Sequence, residues 1–110
     1  MATYTEFREI EMLVGRIVSV DDFPEAHKPA YKLLLDFGPG IGPKKSSAQI
    51  TDNYSKEELK DRLVIAVVNF EPRQIGKFLS EVLVLGVPDE KGHVVLLEPQ
   101  RDVPLGGRVY

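Results

Sequence analysis

Ser55-Lys56-Glu57-Glu58-Leu59-Lys60-Asp61-Arg62-Leu63-Val64-Ile65-Ala66-Val67-Val68-Asn69-Phe70 is the stretch on which the fold turns. Ser55 and Glu58 have capping-box spacing, so each side chain can satisfy an orphan N–H at a helix start. A short helix over Ser55–Arg62 follows. The apolar run Leu63–Phe70 after it is too short for a core helix and rich in β-branched residues, so it reads as a strand buried on both faces. Pro72 ends it.

Upstream, the chain reads as three strands: Val14–Val20, Ala30–Phe37 and Lys44–Thr51. Gly15 inside the first predicts a bulge or a close backbone approach. Asp21–Pro29 is a loop broken by Pro24 and Pro29, and Gly38–Pro43 is a turn dense in Gly and Pro. Thr3 with Glu6 repeats the capping-box spacing, which predicts a front helix over Thr3–Met12. Downstream, Glu81–Val87 and Val94–Glu98 read as strands joined by a turn at Pro88–Gly92. The tail Pro104–Tyr110 adds a last short strand. Five strands with a helix after the third predict a mainly β, five-stranded Greek-key barrel of the OB type, with a short N-terminal helix and a short helix between strands 3 and 4.

The 110 residues suit one domain, 1–110. With 14 basic and 17 acidic residues, a formal charge of −3 excludes coating of nucleic acid or anionic membrane by bulk charge, while leaving room for a local basic patch. No Cys is present, so disulfides, thiolate metal sites and a cysteine nucleophile are excluded. No apolar run is long enough to span a membrane, and the charged N-terminus is unlike a secretory signal. Cytoplasm is the expected compartment.

Catalytic and metal chemistry find little support. Gly38-Pro39-Gly40-Ile41-Gly42-Pro43 lacks P-loop spacing, opens a strand and spends two backbone donors on Pro. His27 and His93 lie in separate loops without metal-ligand spacing. The acidic pairs Asp21-Asp22, Glu57-Glu58 and Asp89-Glu90 sit in turns or at a helix start, where carboxylates are solvated. Gly-x-Ser-x-Gly is absent. No catalytic residue, metal ligand or cofactor is expected.

Two stretches are more informative. Lys44-Lys45-Ser46-Ser47-Ala48-Gln49-Ile50 is a polar strand where OB barrels bind oligonucleotides; Lys serves phosphates, while Ser and Gln supply adaptable donors and acceptors. Asn69-Phe70-Glu71-Pro72-Arg73-Gln74-Ile75-Gly76-Lys77-Phe78-Leu79-Ser80 reads as a proline-set loop mixing basic, amide and aromatic residues, a composition suited to unpaired RNA. Taken alone, Phe70 and Phe78 are expected to face the core.

With these segments the sequence resembles the tRNA-binding OB-domain family, and among its members the stand-alone CsaA type. The matching residues are Val14-Gly15-Arg16-Ile17-Val18, Phe23-Pro24-Glu25-Ala26, Pro29-Ala30-Tyr31-Lys32-Leu33, Ser46-Ser47-Ala48-Gln49-Ile50-Thr51, Val68-Asn69-Phe70, Pro72-Arg73-Gln74-Ile75 and Ser80-Glu81-Val82-Leu83-Val84-Leu85-Gly86. The resemblance implies a non-catalytic homodimer that binds tRNA by shape and backbone. The RNA-binding residues would come from Lys32, Lys44, Lys45, Ser47, Gln49, Asn69, Arg73, Gln74 and Ser80. The alternative it implies is an export-related chaperone for unfolded polypeptides, with Phe70, Phe78 and Leu83 taking apolar side chains. Val82, Leu83 and Ile75-Gly76 depart from the tRNA-binding pattern and point toward the peptide alternative.

Overall fold

The computed structural model describes all 110 residues, in the order α1 (Tyr4–Glu9), β1 (Met12–Asp22), β2 (Tyr31–Asp36), β3 (Pro43–Ala48), α2 (Lys56–Leu59), β4 (Leu63–Val67), β5 (Arg73–Ile75), β6 (Phe78–Ser80), β7 (Leu83–Val84), β8 (Gly86–Pro88) and β9 (Val94–Leu96). One antiparallel sheet runs β3-β2-β1-β4-β7. β1, β2 and β3 follow one another as hairpins, and β4 returns beside β1 after the long connection carrying α2, which is Greek-key order. β3 closes on the segment leading into β7: Glu81 N–H donates to Lys45 O at 2.8 Å, and Ser47 N–H donates to Ser80 Oγ at 3.0 Å. The result is a nearly closed five-stranded barrel of the OB type.

The barrel interior follows the period of two. Leu33 and Leu35 of β2, Ile17 of β1 and Val64 and Ala66 of β4 are buried, with Phe37, Ile50, Val82 and Leu96 completing the core. Leu59 hangs from α2 into this core with no exposed surface. Both capping boxes form, Thr3 with Glu6 and Ser55 with Glu58. The Ser55 backbone N–H donates to Glu58 Oε1 at 3.0 Å, and this bond, with the Ser55 side chain beside it, holds the Glu58 carboxyl below its usual range. Lys56 reaches back to Asp22 of β1 at 2.9 Å, and that hydrogen bond raises its pKa.

Several expected bounds shift. α1 ends at Glu9 rather than Met12, because Ile10 turns extended and Glu11 pairs with β4's end. α2 stops at Leu59; Asp61 takes a left-handed φ of 69° to swing the chain into β4. At Gly15 the close approach is to a side chain: a Cβ there would sit 2.7 Å from the Phe37 ring. The bulge of β1 lies further on, between Ile17 and Ser19. The strand expected over Glu81–Val87 is two strands, split where Leu85 N–H donates to Ile65 O while Leu85 O accepts from Leu97. The tail contributes a single bridge, Leu13 with Arg108.

The largest departure is Arg73–Ser80. This segment is not a loop but the hairpin β5–β6, with Arg73 opposite Ser80 and Ile75 opposite Phe78. Its two-residue turn is Gly76-Lys77, with Gly76 at φ 59°, the conformation that a tight hairpin turn requires of its first central residue.

Candidate nucleic-acid interface

The hairpin β5–β6 lies against β3. In a directly opposed antiparallel pair, the side chains share a face. Arg73, Ile75, Phe78 and Ser80 therefore present one face of the hairpin, while Gln74 and Leu79 present the other. The Gln74 amide donates to Gly76 O at 2.9 Å and braces the turn.

Alternation divides β3 in the same way. Ser46 is fully buried opposite Leu33, so Lys44 shares the interior side, half-buried beside Leu35. Lys45 and Ser47 take the outer side, with Lys32 of β2 opposite Ser47. Phe78 meets them there. Its ring packs edge-on against Phe23, with centroids 5.3 Å apart. Lys32 Nζ lies 5.0 Å from the Phe23 centroid and 5.9 Å from that of Phe78, and Lys45 Nζ lies 5.4 Å from Phe78. Cations over aromatic faces are held by the ring quadrupole. This is an ordered basic cluster on a chain that is acidic overall.

Neither Phe70 nor Phe78 enters the core, contrary to the expectation for the two rings alone. Phe78 is half-buried in the lysine cluster, because the hairpin carries it outside the barrel. Phe70 is 47% exposed. It lines a groove of about 560 Å³ together with Ser47, Gln49, Arg73, Ser80 and Leu83. Nine of the sixteen residues around this groove are hydrophobic, enough to receive an apolar group between polar rims.

The candidate residues thus fall into groups. Ser47, Gln49, Arg73 and Ser80 share the groove with Phe70 and Leu83. Lys32 and Lys45 form the outer cluster with Phe78. Lys44 and Gln74 belong to neither. Asn69 is committed elsewhere: its Oδ1 accepts from Glu11 N–H at 2.9 Å and its Nδ2 donates to Glu9 O at 2.7 Å, pinning the exit of α1 to the end of β4. Phe23 is the member that sequence reasoning left out of the site. The signal was its place in Phe23-Pro24-Glu25-Ala26, one of the segments that carries the family resemblance.

One wall of the groove is anchored by Asp89. Asn53 Nδ2 donates to Asp89 Oδ2 at 3.0 Å and to Val94 O at 3.1 Å, tying the hairpin β8–β9 to the segment before α2. The bond from Asn53, followed by those from the His93 and Lys91 backbone, holds the Asp89 carboxyl below its usual range. Tyr54 Oη accepts from Leu96 N–H at 3.0 Å on the same side. His93 Nε2 stands 3.9 Å from Asp52, and no group of three or more His, Cys, Asp and Glu residues is placed to hold a metal. No helix is long and apolar enough to cross a membrane.

Comparison with known proteins matches this geometry. Over its whole length the chain is similar to the structure of "CsaA chaperone protein from picrophilus torridus", at 54% identity and a TM-score of 0.93, covering 100% of both chains. It is similar to the chaperone CsaA from Bacillus anthracis str. Ames at 43% identity and a TM-score of 0.93, covering 100% of this chain and 99% of that one. The methionine–tRNA ligase of Pyrococcus furiosus is 35% identical over 107 residues, 97% of this chain, and the chain spans only 14% of that ligase's length. Residues 12–108 match the family model described as "Putative tRNA binding domain", and the chain belongs to that family.

Proposed function

We propose that this chain is a non-catalytic, single-domain protein of the cytoplasm that binds tRNA as a homodimer, recognising the folded shape and phosphate backbone rather than base sequence. The observation that carries the proposal is the cluster on the outer face of β2 and β3, where Lys32 and Lys45 are held over the Phe23–Phe78 pair. Lysines meet phosphates without reading sequence. Ser47, Gln49, Arg73 and Ser80 continue the polar surface into the groove. A dimer gains support from α1, which buries none of its residues in the chain and leaves Tyr4 71% exposed, and from the apolar cross-strand pair Val87–Val95 left open on β8–β9. Pairing two copies would put two basic clusters on one particle.

Equilibrium binding to bulk folded tRNA, beside an unstructured RNA of equal length and across a salt series, tests this. The expected result is tighter binding to tRNA, with log K falling linearly against log salt by roughly 0.7–0.9 per phosphate contact. Failure to bind either RNA at low salt overturns it. Light scattering is expected to give about 25 kDa, twice the 12.3 kDa chain; a 12.3 kDa particle at micromolar concentration overturns the dimer.

A second function, as a chaperone for unfolded polypeptides, is favoured by the groove. Phe70 and Leu83 remain 47% and 45% exposed there, a cost that an apolar client side chain would remove. Suppression of aggregation of an unfolded client, insensitive to salt, is the expected result.

A further inference from the structure

The outer cluster contains one acid that the RNA-binding function has no use for. Glu25 Oε2 lies 3.7 Å from Lys32 Nζ, with the Glu25 side chain 64% exposed on the loop between β1 and β2. Lys45 Nζ has no carboxylate within ion-pair distance, and the one acid beside it, Glu81, accepts from the Lys45 backbone N–H at 3.0 Å. The cluster therefore holds two ammonium groups around the Phe78 ring and one exposed carboxylate paired to only one of them. We infer that Glu25 is a built-in competitor for the phosphodiester that Lys32 and Lys45 bind, occupying Lys32 in the free protein and swinging aside when RNA arrives.

The geometry supports displacement rather than a permanent pair. Phe23 and Phe78 hold the Lys32 ammonium in place by their own faces, so Lys32 stays positioned when Glu25 leaves. Glu25 follows Pro24 in an exposed loop and makes no other side-chain hydrogen bond or ion pair. An exposed pair at this distance is weak, so a phosphate that engages both lysines at once outcompetes a carboxylate engaging one. The device lowers affinity for isolated anions and for weakly presented phosphates while leaving a rigid, well-placed backbone able to bind. It rests on the tRNA-binding function proposed above.

The test is tRNA binding across a salt series for the wild type, Glu25→Gln, Glu90→Gln and the double variant Glu25→Gln/Lys32→Met. Glu90 lies in the exposed β8–β9 turn without an ion-pair partner, so its variant reports the effect of one lost negative charge alone. Glu25→Gln is expected to bind about two- to fivefold tighter at low salt, the size of one exposed ion pair. Glu90→Gln is expected to gain less, and the double variant to lose the gain. Equal gains in Glu25→Gln and Glu90→Gln, or a gain that survives loss of Lys32, overturn the competitor. A wild type that binds no tRNA at low salt instead removes the RNA function itself, and the two failures are distinct. Thermal unfolding of each variant confirms that the fold is retained.

Discussion

Phe70 and Phe78 stand eight residues apart and bracket one segment, yet they end in different physical environments. Phe70 leaves the end of β4 and stays largely open, lining an apolar groove with Leu83. Phe78 is carried by β6 onto the outer face of the barrel, where it packs edge-on against Phe23 and collects two lysines. The two environments meet along one face of the hairpin β5–β6: Arg73, Ile75 and Ser80 line the groove, while Phe78 beside the turn belongs to the cluster. The two environments differ in their chemistry: contacts in the groove would rest on apolar burial, and contacts at the lysine cluster on charges that salt screens.

The sharpest way to break this division is to remove both cations. Lys32→Met/Lys45→Met is expected to weaken tRNA binding roughly tenfold or more, since a hydrogen bond to a charged group contributes about 1.5–3 kcal/mol and exposure reduces the sum of two. The slope of log K against log salt should fall by about two phosphates' worth. Suppression of client aggregation should not change. If both activities fall together, groove and cluster are one site.

The reciprocal change is Phe70→Ser. Its ring is half open, so the fold should lose about 1 kcal/mol or less. Client suppression is expected to drop severalfold while tRNA affinity stays within about twofold, near the scatter of ordinary surface substitutions. An aggregation assay and a tRNA titration on the same preparation settle it. Loss of tRNA binding would instead mean that a base stacks on Phe70.

How far this division could be read from the sequence depends on the level. The barrel was legible, because Leu33, Leu35, Val64 and Ala66 obey a two-residue period and Ser55 with Glu58 marks the helix that separates β3 from β4. Lys44, Lys45 and Ser47 were legible as members of one polar strand, whereas only the register shows that Lys44 shares the buried side with Ser46 while Lys45 and Ser47 face outward. The hairpin was not read, since Pro72 and the mixed polarity of Arg73–Ser80 mask strands of only three residues. Gly76-Lys77, a Gly-first two-residue turn, was the available signal. Asn69 shows a different limit. A motif position that looks like a ligand contact spends its amide on Glu9 and Glu11, and only long-range geometry reveals that.

A smaller effect probes what holds the cluster together. Phe78→Leu keeps apolar bulk but removes the edge contact with Phe23 and the ring face shared by Lys32 and Lys45. The aromatic pair contributes about 0.5–1.5 kcal/mol and each exposed cation–ring contact about 0.5–1 kcal/mol. Stability is expected to fall by about 1–2 kcal/mol and tRNA affinity by about two- to threefold, because the lysines remain but lose their positioning. Unfolding in urea reads the first and titration the second. Unchanged tRNA affinity would show that the rings do not position the lysines.

The smallest effect belongs to the groove's far wall and appears only in acid. Asp89 accepts from Asn53, which also holds Val94 O, so the charged carboxylate fixes a strand that lines the groove. Those hydrogen bonds favour the charged form and lower its pKa from an ordinary 3.8. A carboxyl depressed on folding contributes stability that is present above its unfolded value and is lost as pH falls through the folded one. The contribution should therefore be intact at neutral pH, begin to fade below about pH 3.8 and be lost as pH falls through the lower folded value. Asp89→Asn removes the charge while keeping the shape, so its melting temperature is expected to fall less steeply than the wild type's between pH 4 and pH 2, with the two curves drawing together at the acid end. Parallel curves would mean that the Asn53–Asp89 contact adds nothing to the fold. The basic cluster on β2 and β3 has no part in this contact, so a low-pH loss confined to client binding would again separate the two surfaces.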